Sequence, residues 1–293
     1  MGTAARRERP LIWLVTGAGG MLGTELCVRL RERGAKVVAV TRAELDLRDA
    51  AATAAAVRRH GPDVVVNCAA WTAVDAAEAA EDAALAVNGT AVAALAAVCA
   101  DTGATLVQPS TDYVFAGTAD EPYREDAPTA PVNAYGRTKL AGERAVLATG
   151  RGHVVRTAWL YGAHGPNFVR TIAGLAATRP TVDVVDDQVG QPTWTGDLAD
   201  RIIDLAGSSA PPGIYHGTNA GRATWFDLAR EVFALLGADP GRVRPVTSDG
   251  FVRPAPRPAY SVLGHDGWAA TGLPPMRDWR AALHAAWPVL GVP

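Results

Sequence analysis

"LIWLVTGAGGMLG", residues 11–23, is the stretch that decides the fold. Its first part, "LIWLVTG" (11–17), is an apolar run ending on glycine, the pattern of a strand covered on both faces. Its second part, "TGAGGMLG" (16–23), spaces Gly17, Gly20 and Gly23 as G-x-x-G-x-x-G. Glycine permits a tight turn, lets the backbone approach a pyrophosphate, and lets the next helix pack on the strand. Leu22, Leu26 and Leu30 then fall on one helical stripe, which Gly34 stops. The start of that helix offers free N–H groups and a positive dipole end to phosphates. Glycines in a loop mean little alone. Between a first apolar strand and a helix they predict a dinucleotide site.

The pattern continues outward. "KVVAVTR" (36–42), "DVVVNCAA" (63–70), "ATLVQPST" (104–111) and "HVVRTAWLYG" (153–162) read as further strands. "RDAAATAAAVRRH", closed by Gly61-Pro62, and an alanine-rich stretch at roughly 83–101 read as helices between them. This order predicts an α/β fold, a Rossmann-type, doubly wound parallel sheet with right-handed crossovers. Residues 116–133 read as a long loop of the kind that is functional or mobile. After residue 162 the pattern weakens. "TVDVVDDQVGQPT" (181–193) is extended, "TGDLADRIIDLAG" and "ATWFDLAREVFALLGA" are helical, and "GIYHGTN" (213–219) is a strand. Residues 240–262 are proline-rich with little periodicity.

Bulk properties narrow the function. The 293 residues suit one large or two intimately joined domains. The net charge is −2 with no basic stripe, which argues against nucleic acid and anionic membranes. Cys27, Cys68 and Cys99 are far apart, and the six histidines are scattered, so neither a disulfide framework nor a metal site is expected. No apolar run approaches about 18 residues, so no membrane span is expected. The start "MGTAARRERP" leads straight into the first strand and does not read as a signal peptide. A cytoplasmic location follows as the expectation.

"NAYGRTK" (133–139) places Lys139 four residues after Tyr135. Only Lys36 and Lys139 among the 28 basic residues are lysines, and there are six tyrosines. A Tyr with a Lys at +4 would arise by chance roughly 4% of the time. On a helix the two share a face. A cation beside the phenol would lower its pKa from about 10 and suit it to deliver a proton to a developing alkoxide. Thr111 ends a strand, where open α/β sheets place ligands, and its hydroxyl can donate to a carbonyl; it can equally cap the following turn. The second strand ends on Thr41-Arg42. An Arg there suits the 2′-phosphate of NADPH, with NADH as the alternative. Asp46 either meets the cofactor or caps the helix that starts near residue 48. Ala69, Ala70 and Trp71 follow the third strand, at the edge where a cofactor would lie.

With these residues placed, the chain resembles the dTDP-4-dehydrorhamnose reductase family of the extended short-chain dehydrogenase/reductases. The landmarks run in order along nearly the whole chain: "NCAAWTAVDAAE" (67–78), "STDYVFAG" (110–117), "PVNAYGRTKLAGE" (131–143), "RTAWLYG" (156–162), "NFVRTI" (167–172), "VVDDQVGQPT" (184–193), "GIYHGTNAG" (213–221) and "PAPRPAYSVL" (254–263). The resemblance implies a Rossmann domain, 1–162 plus about 194–220, and a smaller C-terminal α+β substrate domain, about 163–193 and 221–293. It implies NADPH-dependent reduction of the 4-keto group of a dTDP-4-keto-6-deoxy sugar, for the name member dTDP-4-dehydro-L-rhamnose. Thr111, Tyr135 and Lys139 become the catalytic residues, with Lys139 also reaching the nicotinamide ribose. Gly17, Gly20, Met21, Leu22, Arg42, Asp46, Leu47, Ala69, Ala70 and Trp71 become cofactor contacts. Thr72, Val74, Asp112, Trp159, Asn167 and Arg257 join Thr111 and Tyr135 around the substrate, with Arg257 suited to its diphosphate. Pro109 and Trp71 depart from the family pattern, and Trp71 leaves the particular sugar open. Rhamnose supply, another deoxysugar of secondary metabolism, and a non-catalytic regulatory subunit that binds the nucleotide are the alternatives. A homodimer is compatible with the sequence.

Overall fold

The structure, a computed structural model, describes residues 10–292. The basic stretch 1–9, expected to precede the first strand without forming a signal peptide, lies outside the described residues. β1 (Ile12–Thr16), β2 (Lys36–Val40), β3 (Val64–Asn67), β4 (Thr105–Thr111) and β5 (Gly152–Thr157) lie parallel, and the Gly213–His216 strand completes the sheet beside β5. From that edge the order is Gly213–His216, β5, β4, β3, β1, β2. The chain steps from β1 to β2 on one side and then to β3 on the other. At such a reversal an open α/β sheet forms a crevice outside its carboxyl ends.

Helices cover both faces. Met21–Glu32 and Thr195–Gly207 bury Leu26, Leu30, Leu198 and Ile202 against one face. On the other, Ala50–His60, the long helix Glu81–Thr102 and Ala134–Ala148 enclose Val57, Val92, Leu95 and Val146. This double cover explains why all of β3 is buried and reads as a continuous apolar run.

The Glu81–Thr102 helix departs from the sequence expectation. It is long and apolar enough to cross a membrane by length and composition, yet half of its apolar window is buried inside this fold. Alanine, too small to read as a core residue in the sequence, supplies much of that surface. One π-helical turn, Ala86–Thr90, interrupts it; such turns recur at functional sites.

The weakly patterned part of the chain builds a second core around Ile172, Trp194, Val232, Phe233, Trp279 and Leu283. Val243–Val246 pairs parallel with Val182–Val185 in the proline-rich stretch where no strand was expected. Pro245 is tolerated because this two-stranded ladder has an open edge. Residues 116–133 form the expected loop. The Tyr123 hydroxyl ties it down by accepting the N–H groups of Gly117, Thr118 and Ala119 at 3.0, 3.1 and 3.2 Å.

Candidate active site

The glycine turn is built for close approach. Gly17 has φ +62°, and a Cβ there would sit 2.5 Å from the Ala69 amide nitrogen. A Cβ on Gly23 would lie 2.3 Å from the Gly17 carbonyl oxygen. Gly20 starts the helix without a side-chain cap. The first amides of that helix, at Met21, Leu22 and Gly23, therefore have no partner within it, which suits an anion. Gly17, Gly20, Arg42, Asp46, Leu47, Ala69, Ala70 and Trp71 line one cavity of about 350 Å³. The unpartnered amides over this turn suit the phosphates of a dinucleotide.

Two details there were not legible in the sequence. Arg48 lines the same cavity and holds Asp46, with Nε donating to Oδ1 at 3.0 Å. Those hydrogen bonds pull the exposed Asp46 carboxyl down to about 2. The helix cap falls instead to Asp49, whose Oδ1 accepts from the Ala52 amide at 2.9 Å.

A second cavity, of about 510 Å³, opens beyond the turn. Gly20, Met21, Leu22, Thr72, Val74, Thr111, Asp112, Tyr135, Lys139 and Trp159 all line it. Tyr135 and Lys139 stand on the Ala134–Ala148 helix, whose Asn133 cap accepts the Gly136 amide at 2.8 Å. Two glycines let this helix sink in. Cβ atoms on Gly136 and Gly142 would each lie 2.2 Å from a backbone oxygen, of Tyr113 and Asn88 respectively.

Lys139 is 4% exposed, and its ammonium donates to the Pro109 carbonyl at 2.7 Å. Burial pulls its pKa down to about 8, while the Glu143 and Cys68 charges oppose the shift. Pro109 O also accepts from Gln108 Nε2 at 3.0 Å, Gln108 Oε1 accepts from Asn67 at 2.8 Å, and Asn67 Oδ1 accepts from Thr16 at 2.6 Å. The tips of β1, β3 and β4 are thus one hydrogen-bonded row. The carbonyl of Pro109 points to the β3 side, and the β3–β4 ladder ends at Val66 and Val107. The missing proline N–H therefore breaks no ladder bond, which explains how proline is tolerated here.

The Tyr135 phenol does not have the lowered pKa expected of it. Burial raises it, the Asp112 charge raises it further, and a hydrogen bond with Thr111 opposes both. Lys139 does not act on the phenol in this arrangement, because its ammonium is turned to Pro109. Thr111 caps the following turn, the second of its two expected roles. It lines the cavity, donates to Asp112 Oδ1 at 3.0 Å and accepts the Tyr113 amide at 3.2 Å. Asp112, 2% exposed, is pushed up to about 6 by burial, with the Ser261 and Thr111 hydroxyls holding it down.

Asn88, in the π-helical turn, was missed by the sequence reading. Its Oδ1 accepts the Trp71 amide at 2.9 Å, and its Nδ2 donates to Trp71 O at 3.0 Å and Thr138 Oγ1 at 3.1 Å. It pins the loop after β3 to the Ala134–Ala148 helix. Glu143, two turns beyond Tyr135, makes a buried bidentate pair with Arg156 of β5, at 3.0 and 2.8 Å. Breaking such a pair typically costs about 3–5 kcal/mol.

The remaining expected residues separate. Asn167 lines neither of these two cavities; it caps the Phe168–Thr178 helix by accepting the Arg170 amide at 3.1 Å. The pattern "NFVRTI" reads equally as a cap, which is the role the structure gives it. Arg257 lines a third cavity of about 440 Å³, with Tyr113, Phe168, Ile172, Leu175 and Trp225. Its guanidinium is held by Asp75, at 2.5 and 3.0 Å, a partner the sequence did not reveal. Among the described residues no group of three or more His, Cys, Asp or Glu is placed to hold a metal.

A dinucleotide cradle leading to a Tyr–Lys–Thr cavity at the strand tips defines a short-chain oxidoreductase type of site. The family model described as the RmlD substrate binding domain matches residues 12–290. The chain is 58% identical over 280 residues to a dTDP-4-keto-6-deoxy-D-glucose reductase of Streptomyces niveus, covering 95% of this chain and 97% of that protein. It is 58% identical over 284 residues to a dTDP-4-dehydrorhamnose reductase of Streptomyces griseus, covering 95% and 93%. A solved dTDP-4-dehydrorhamnose reductase of Bacillus anthracis, in complex with NADP, superposes with a TM-score of 0.92 at 35% identity, covering 95% of this chain and 99% of that one. The chain belongs to the dTDP-4-dehydrorhamnose reductase family.

Proposed function

We propose that this protein reduces the 4-keto group of a dTDP-linked 6-deoxyhexose with NADPH, with dTDP-4-dehydro-L-rhamnose the first candidate. The observation that carries this is the meeting of Thr111, Asp112, Tyr135 and Lys139 with the glycine turn in one cavity. Two relatives of equal identity carry different sugar names, so overall identity does not choose the sugar. Arg42 and Arg48 beside the adenosine end favour a cofactor with a 2′-phosphate.

The chemistry supplied by bound NADPH is hydride transfer to the ketone carbon. Tyr135 donates a hydrogen bond to the ketone oxygen, where negative charge develops, and Thr111 joins it once its single hydroxyl proton turns from Asp112 to that oxygen. Burial keeps the Tyr135 phenol protonated at neutral pH, the form that can give its proton to that oxygen. Lys139, still mostly charged at pH 7, stabilises the phenolate left behind once its ammonium turns from Pro109. Before substrate binds, Asp112 accepts the Thr111 hydroxyl and holds it at the cavity wall. Beyond the sugar, the apolar walls of the third cavity suit the base, and Arg253 and Arg257 at its rim suit the diphosphate. The three cysteines are free, in keeping with a reducing, cytoplasmic compartment.

The test is NADPH oxidation with a panel of dTDP-4-keto-6-deoxyhexoses, each product identified by NMR. Turnover that Tyr135→Phe abolishes is the expected result. NADPH binding without turnover of any keto-sugar would instead make this a regulatory nucleotide-binding subunit.

A further inference from the structure

Trp159 has φ +45°, the one positive φ outside glycine among the described residues. A bulky aromatic residue there is strained by about 1–3 kcal/mol and persists only when its surroundings over-determine it. The surroundings are two flat surfaces. A Cβ on Gly190 would lie 2.6 Å from the ring-fusion atom Cε2 of Trp159, so the glycine backbone lies against one face of the indole. The other face stacks on Trp225, with ring centroids 3.6 Å apart and planes 8° from parallel. No sugar ring fits into a 3.6 Å gap. Trp159, the residue the family resemblance points to, therefore offers the cavity only an edge.

Trp225 is differently placed. It lines both the catalytic cavity and the cavity suited to the nucleotide. It is the first residue of the Trp225–Leu235 helix, fixed by a capping box in which Thr224 and Asp227 exchange hydrogen bonds at 3.0 Å. Its Nε1 donates to Gln188 Oε1 at 3.2 Å, and Gln188 Nε2 donates to Ser248 Oγ at 2.9 Å. Phe168 leans on it at 51° with centroids 4.6 Å apart. Tyr113 and Trp225 are the two residues that line both cavities, so a sugar nucleotide reaching from one to the other lies against them.

We propose that Trp225 is a specificity-determining residue, the aromatic surface that seats the sugar where the two cavities meet, with Trp159 as its backing. The proposal rests on the sugar-nucleotide reading above. The C–H groups of the hexose lie on the indole, while its carbonyl oxygen reaches Tyr135 and its diphosphate turns toward Arg257. Gln188 keeps the indole at the angle that leaves this passage open.

The experiment measures steady-state kinetics of the full chain with NADPH and the keto-sugar it turns over. Trp225→Ala, Trp225→Leu, Trp225→Phe and Gln188→Ala are compared with wild type, and Trp159→Ala serves as a reference. Trp225→Ala and Trp225→Leu are expected to raise the keto-sugar KM about tenfold, the loss of one good aromatic contact, with the NADPH KM unchanged. Trp225→Phe should stay within about threefold, and Gln188→Ala should raise the sugar KM by a similar small factor. Trp225→Leu keeps the apolar bulk and so decides the matter if Trp225→Ala does not fold. A wild-type sugar KM in Trp225→Leu, or equal losses in the NADPH and sugar KM of the folded variants, would overturn the proposal. Absence of turnover in wild type would refute the reductase reading instead. In that case dTDP binding by calorimetry, unchanged in Trp225→Leu, would overturn the role of Trp225 as well.

Discussion

Replacing Lys139 with methionine should stabilise the protein alone at neutral pH while destroying its activity. Lys139 is 4% exposed, and burial pulls its ammonium from 10.5 down to about 8. At about 1.36 kcal/mol per pH unit, the drop from 10.5 to about 8 penalises the charged folded form by about 3 kcal/mol. Between pH 8 and 10.5 the unfolded chain holds this proton and the folded chain does not, so stability rises with pH across that window. Below about pH 8 both states are protonated and the penalty is constant. Methionine has no such term. Urea melts at pH 7 and pH 10 should therefore show wild type gaining on Lys139→Met by about 2–3 kcal/mol as pH rises. The lost hydrogen bond to Pro109 offsets part of the gain at pH 7, where the donor is charged and the bond is at its strongest. Parallel pH dependence in the two proteins would refute the argument that this ammonium is held charged against desolvation. The variant's kcat should fall by about 10²-fold or more, since the phenolate loses its cation.

Other outcomes follow from single features of the site. Tyr135→Phe should lower kcat by about 10²–10⁴ with little change in NADPH affinity measured by fluorescence. Arg42→Ala combined with Arg48→Ala should lower the NADPH-to-NADH ratio of kcat/KM at least about tenfold, and an unchanged ratio would remove both from the 2′-phosphate. Asp112→Asn should flatten any acid limb of the kcat/KM profile near pH 6, because the carboxyl that titrates at about 6 is gone. Gly23→Ala should abolish dinucleotide binding or folding, since its Cβ would meet the Gly17 carbonyl at 2.3 Å.

The sequence by itself determined the parts of this protein that depend on local chemistry. An apolar run, three spaced glycines and a leucine stripe are enough for the β1 turn and its helix, because strand burial, turn geometry and helix packing each leave a pattern within a few residues. Tyr135 and Lys139 were legible for the same reason, as helical spacing puts them on one face. The Tyr135 environment was not legible. Whether a buried phenol is pulled down by Lys139 or pushed up by burial and Asp112 depends on where the ammonium turns, and Pro109 O, 30 residues away, decides that. Asn88, Asp75 and Trp225 escaped notice because each works across the fold: Asn88 through a π-helical turn, Asp75 on Arg257 from 182 residues away, Trp225 against Trp159. Asn167 shows the converse, a motif residue whose local capping bond accounts for it. Short-range patterns record what a segment must do to fold. The charges, strains and shared walls of the cavity exist only once distant segments meet, and so only the tertiary structure decides them.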